Sequence, residues 1–227
     1  MRDELIRAAG KNLSGLLIYG GLARGRFRAQ RSDINVVVVL NDMSADTLGA
    51  VAPVMRAAWR AARVEPMFLT PSEVRSTAAA FPTKFLDIKE QSILLTGVSP
   101  FAELEIPREH IRLRVEQSLR NSLLRLRRRF LAIAGDPAAQ ALALVSVARP
   151  LALDLGSLLR LAAKGLPAQD RSAAIFDGAA QAFDLDREAL KTLAEMREAD
   201  EAGTASQEFF GRILKTLACA ADVAARV

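Results

Sequence analysis

The stretch at residues 16–40, LLIYGGLARGRFRAQRSDINVVVVL, constrains this chain more than any other. Residues 16–19 form a short apolar run stopped by Gly20-Gly21. Residues 36–39 are four consecutive valines, the pattern of a strand covered on both faces. A chain containing such a strand needs a sheet with layers on either side. Between the two runs lie Arg24, Arg26, Arg28 and Arg31, followed by Asp33 and Asn35 at the mouth of the second strand. Strand side chains alternate, so positions two apart share a face. A glycine turn, a basic loop and two oxygen-bearing side chains aimed one way are the ingredients of a phosphate-and-metal site.

Around this stretch the periodicity predicts a helix over residues 3–12 and another over 45–62, the latter kinked or started late by Pro53. Ser44 or Asp42 is placed to cap it. Residues 64–69 read as a third strand, and Thr70-Pro71-Ser72-Glu73 as a capping box opening a short helix. Residues 81–90 read as helical with an interruption at Pro82, and 92–96 as a fourth strand. The aperiodic segment 97–107, with two prolines, reads as a linker. Beyond it come helices over 108–134, 138–163 (with Pro150 inside), a third ending near 183, a fourth over 186–200, and a last running to the C-terminus. Asp136, Asp170, Asp186 and Thr204 are the expected caps. The order reads β-α-β-α-β-α-β and then about five helices. The expected fold is α/β, a small mixed-sheet domain over residues 1–100 followed by an all-α helical bundle over 107–227.

Composition narrows the functional classes. With 51% hydrophobic and 25% charged residues over 227 positions, the chain can bury a core and is not of disordered type. A single cysteine, Cys219, excludes an internal disulfide framework and a cysteine-based zinc site, and suits a reducing cytoplasmic setting. No run of about 18 apolar residues suggests a membrane span. The net charge of +5 is local: residues 106–135 hold eight arginines against Glu109 and Glu116, a net +6, while 136–227 hold ten basic and thirteen acidic residues, a net −3. Such a local excess, with 5% aromatic residues, argues against a nucleic-acid surface.

The motif Tyr19-Gly20-Gly21-Leu22-Ala23-Arg24-Gly25, then Ser32-Asp33-Ile34-Asn35 and the valine run, resembles the nucleotidyltransferases of the DNA polymerase beta superfamily. Their pattern is an apolar strand, Gly-Ser, Ala-Arg-Gly, then Ser-Asp-x-Asp and a second apolar strand. The small bacterial members of the kanamycin nucleotidyltransferase type share the order of a carboxylate-bearing third strand and a helical C-terminal domain. The resemblance implies transfer of a nucleoside monophosphate from a nucleoside triphosphate to an acceptor, with Mg²⁺ ions clamping the phosphates. It implies that Gly20, Gly21 and Arg24 form the nucleotide-binding turn, and that Asp33, Asn35 and Glu65 are the catalytic metal-binding positions. Gly21 departs from the family serine and keeps only its backbone donor. Asn35 departs from a family aspartate, keeping one neutral oxygen and losing a full charge. Weak or lost activity is the expectation. The alternative is a non-catalytic nucleotide-sensing or protein-interaction module, dimeric through its helical bundle.

Several residues have plainer readings. Gly20-Gly21 alone suits an ordinary tight turn, Asp33 a helix-end partner, Glu65 a partner for Arg63, and Arg24 a brace holding the loop. Trp59 suits core or edge packing, His110 the solvated surface, and Cys219 a small buried hydrophobe. Glu116 is spaced for salt bridges to Arg112 or Arg120, though relatives use a C-terminal-domain glutamate as base. The run at residues 125–129 suits a solvated basic face.

Overall fold

The computed structural model describes residues 1–227 apart from 26, 28–31, 166, 168–170, 200 and 202. Arg26, Arg28 and Arg31 of the basic loop, and the cap expected at Asp170, lie outside the described residues. The chain divides into two compact units, Met1–Ile106 and Pro107–Val227.

The first unit runs α1 (Arg2–Ala9), a 3-10 turn (Gly10–Asn12), β1 (Leu13–Tyr19), β2 (Ile34–Leu40), α2 (Ala45–Ala62), β3 (Val64–Leu69), α3 (Glu73–Ala80), α4 (Pro82–Gln91) and β4 (Ile93–Gly97). The strands form one mixed sheet in the order β3-β2-β1-β4. Both neighbours of β1 are antiparallel to it, and β3 runs parallel to β2. The first helix precedes β1, and residues 20–25 form a turn, so the first β-to-β connection is that of an antiparallel pair and not the helical crossover of a strict alternation.

The period of two sorts the sheet residues between two cores. Leu16, Val36, Val38 and Leu40 pack with Leu5 of α1 and Val51, Met55 and Ala58 of α2. Leu17, Val37, Val39 and Leu69 pack with Val74 and Ala78 of α3 and Phe85 and Ile88 of α4. The valine run is fully buried because it feeds both cores in turn. Phe101 and Leu104 belong to the second core, so much of the stretch that lacks periodicity is core filling and not free linker. Where β1 meets β4, Gly97 (φ +77°) lies so close to Ser14 that an added Cβ would stand 2.1 Å from its carbonyl oxygen.

Local chemistry sets the helix ends. Ser44 accepts from the Thr47 N–H at 3.4 Å. Thr70 and Glu73 make the reciprocal capping-box bonds, the Thr70 N–H donating to Glu73 at 2.7 Å and the Glu73 N–H to the Thr70 hydroxyl at 3.3 Å. α2 continues through Pro53, because burial of Val51, Met55 and Ala58 outweighs one lost backbone bond.

The second unit is helical: α5 (Arg108–Ile133), α6 (Pro137–Leu161), α7 (Ser172–Phe183), α8 (Arg187–Glu198) and α9 (Gln207–Arg226). Its core is α6, which packs against each of the other four and continues through Pro150. By length and composition alone α6 could cross a membrane. Its apolarity is used in the bundle, where Leu144, Leu151, Leu155 and Leu158 are buried. Asp136 and Asp186 cap α6 and α8 as expected, but Ser206, not Thr204, caps α9 by accepting from the Phe209 N–H at 3.1 Å. The Arg108 guanidinium donates to the carbonyls of Leu161 and Val227, closing the C-terminal ends of α6 and the chain.

Glu116 bonds both Arg112 (3.2 Å) and Arg120 (2.9 Å), and these partners hold its carboxyl below the ordinary value, Arg120 contributing most. His110 is exposed. Arg125 and Arg127–Arg129 are exposed as well, two of them turned to Asn121 and Ser146 of their own unit. Cys219 is exposed, contrary to expectation. The buried stripe of α9 is Phe210, Ile213, Leu217, Ala221 and Ala224, and position 219 stands about 200° around the helix from 217.

Candidate functional site

The sheet register lines up the resembling residues at one end of the first unit. Tyr19 of β1 pairs with Asn35 of β2, and Asn35 pairs with Glu65 of β3. All three have the parity of Leu17, Val37 and Met67, so the row lies on the sheet face that α3 and α4 cover. Tyr19 is only partly buried against the second core and Glu65 is exposed, which puts the row at the rim of that core. Tyr19 is half-buried there. Burial, and then the negative charge of Glu65, hold its phenol above the ordinary value. The Lys84 ammonium of α4 stands 5.6 Å from the ring centroid of Tyr19 and supplies a cation at the same rim.

The glycine turn follows directly from Tyr19. The Arg24 N–H donates to the Gly20 carbonyl (3.2 Å) and the Gly25 N–H to that of Leu22 (3.1 Å). This is one helical turn, whose leading N–H groups belong to Gly21, Leu22 and Ala23. Gly20 adopts φ +73°, and an added Cβ would meet the Asn35 amide nitrogen at 3.3 Å. The turn therefore lies directly against the Asn35 side chain, and only glycine combines that conformation with that approach. Gly20→Ala is expected to lower the stability of this unit by about 1–2 kcal/mol, measured by urea denaturation, and to displace Asn35.

Arg24 forms an ion pair with Asp87 of α4, both side chains being largely buried at 11% and 16% exposure. The structure thus uses Arg24 as the brace that ties the glycine turn to α4. Asp33 lies one residue ahead of β2, and its Oδ1 accepts from both Nε and a terminal nitrogen of Arg63, each at 2.7 Å. Arg63, in the left-handed region (φ 52°), closes α2 with its N–H on the Trp59 carbonyl, while its own carbonyl accepts from Ile34. The helix-end role for Asp33 is therefore realised, and Arg63 goes to Asp33 and not to Glu65. Glu65 is exposed on the edge strand.

The structure brings Asn35 and Glu65 into one row, sets Gly20 against Asn35, and turns Asp33 toward Arg63. As a donor set this offers one neutral amide, one carboxylate bonded to a guanidinium and one exposed carboxylate. Among the described residues no group of three His, Cys, Asp or Glu side chains is arranged to hold a metal ion. These donors, as placed, do not fit a pair of Mg²⁺ ions, which need several anionic oxygens. The Asp33–Arg63 pair is exposed and opens for about 1 kcal/mol, whereas the Asn35 amide carries no charge in any arrangement. Lys84 and Asp87 carry no sequence signal of their own, since their partners Tyr19 and Arg24 lie more than 60 positions away.

No protein-family profile matches the chain, and no curated protein matches it. Among solved structures it is similar to spectinomycin adenyltransferase AAD(9) from Enterococcus faecialis, solved with ATP and spectinomycin. The likeness has a TM-score of 0.57 and 11% identity, covering 99% of this chain and 96% of that one. At that identity the likeness shows the fold: over nearly its whole length, this chain has a nucleotidyltransferase-like α/β architecture followed by a helical region.

Proposed function

We propose that this chain is a nucleotidyltransferase-superfamily protein that binds a nucleoside triphosphate at the Gly20-Gly21 turn and whose nucleotidyl transfer is weak or lost. The fold likeness to an ATP-bound adenyltransferase supports the ligand class. The observation that carries the reading is Asn35, in register between Tyr19 and Glu65 and pressed against Gly20, where the resembling family places an aspartate. The leading N–H groups of the turn, with Lys84 nearby, suit phosphate oxygens. Metal ions, when bound in relatives, supply charge neutralisation of the triphosphate. Here Asn35 and the Arg63-bonded Asp33 leave that role poorly provided. The same pair favours the second reading, a nucleotide-sensing module with no transfer step.

The test is a calorimetric titration with ATP, with and without Mg²⁺, on the wild type and Asn35→Asp. Restoring one carboxylate is expected to raise Mg²⁺-dependent affinity at least tenfold, about 1.4 kcal/mol. Equal, tight Mg²⁺-dependent binding by both proteins would sink the degraded-site reading. So would clear transfer from labelled ATP by the wild type that disappears in Asp33→Ala.

A further inference from the structure

A groove of about 500 Å³ runs between α2 and the edge strand β3, and the nucleotide turn has no part in it. Arg56, Trp59 and Arg60 line it from α2, and Val64, Glu65 and Pro66 from β3, with Met55 between them. Trp59 is 44% exposed there. That leaves roughly 100 Å² of indole in water, a large apolar surface for a position on a two-core unit. Arg56 is three residues from Trp59 and four from Arg60, so it neighbours both on the helix surface and the three span about 100° of it. Among the described residues neither guanidinium has a hydrogen-bond or ion-pair partner, and with Glu65 on the strand parity of the opposite sheet face the two arginines make this lining positive. Pro66 removes a backbone donor from this strand, which disfavours an added strand as the occupant.

We propose that this groove binds a planar aromatic anion, a small ring system carrying a carboxylate or a phosphate. The ring stacks on Trp59 against the aliphatic surface of Met55, Val64 and Pro66, and the anionic group is held by Arg56 and Arg60. A planar face beside two guanidiniums recognises that pairing of properties and neither property alone. The volume suits a ligand of this size.

Trp59 is the one tryptophan in the chain, so its emission reports on this groove alone. The experiment titrates the full-length protein with phenyl phosphate and with benzoate, following tryptophan fluorescence and, independently, calorimetry. A saturable change with a dissociation constant below about 1 mM is expected for at least one of them, and which one binds identifies the anionic group. Inorganic phosphate and benzyl alcohol, each half of the ligand, are expected to bind at least about tenfold more weakly. Arg56→Gln combined with Arg60→Gln is expected to weaken binding by about tenfold or more with an unchanged melting temperature, and Trp59→Ala to abolish it by calorimetry. Trp59→Phe, which keeps a stacking face, is expected to retain most of the affinity. Three outcomes overturn the proposal: no saturable change with either probe, affinity unaltered in the double arginine variant, or Trp59 emission that changes with protein concentration alone, which would mean a second copy covers the groove.

Discussion

Asp87→Ala is expected to destabilise the α/β unit by about 3 kcal/mol, a loss visible as a lower urea midpoint with an unchanged slope. The reason is asymmetry. Arg24 is only 11% exposed, so removing Asp87 leaves a guanidinium largely desolvated without its carboxylate. A surface pair such as Asp33–Arg63, at 40–52% exposure, is expected to change stability by less than 1 kcal/mol when cut. Replacing both members, Arg24→Met with Asp87→Leu, is expected to recover most of the loss, since neither charge is then stranded. Because the pair ties the glycine turn to α4, Asp87→Ala is also expected to weaken the proposed ATP binding. A loss below 1 kcal/mol in Asp87→Ala would show that the pair does not hold the turn.

The second large effect lies in the helical unit. Asp154 of α6 accepts a hydrogen bond from the Ser118 hydroxyl of α5 at 2.7 Å. Burial pushes its carboxyl up to about 6 from an ordinary 3.8, against the smaller lowering effects of Ser118 and Arg114. A carboxyl raised in the folded state favours folding while it is protonated. Its contribution is full below about pH 4, falls as pH rises toward 6, and is gone above that. Asp154→Asn keeps an oxygen for Ser118 and has no charge to bury. The variant is expected to match the wild type near pH 4 and to exceed it by about 2–3 kcal/mol at pH 7, measured by denaturation followed by helical circular dichroism. A constant difference between the two proteins from pH 4 to 7 would contradict this.

The first unit was legible wherever the signal is local. The valine run announces a strand covered on both faces, and each valine is buried in one of two cores by parity. Thr70 and Glu73 announce a capping box and make both its bonds. Signals failed where packing, and not local chemistry, decides. Thr204 and Ser206 are both N-cap residue types, and the start of the buried stripe at Phe210 goes with Ser206. Cys219 sits on an apolar helix yet falls off its buried stripe. The segment containing Phe101 and Leu104 lacks periodicity because it fills a core as irregular chain, a role with no repeat to detect.

The motif at residues 16–40 by itself pointed to the class of architecture and to the position on which the proposed function turns, the amide at Asn35. Both are properties of residue type and spacing, which a chain carries before it folds. Only the tertiary structure decided the partners: Gly20 against Asn35, Asn35 in register with Glu65, Arg24 on Asp87 and Asp33 on Arg63. The side chain of Asp33 is the same in sequence whether it faces a cation from solvent or an arginine from the end of α2. Which one it meets depends on where β2 and α2 end relative to each other. That relation arises from sheet register and helix packing, through contacts 30 or more positions apart that no local pattern encodes.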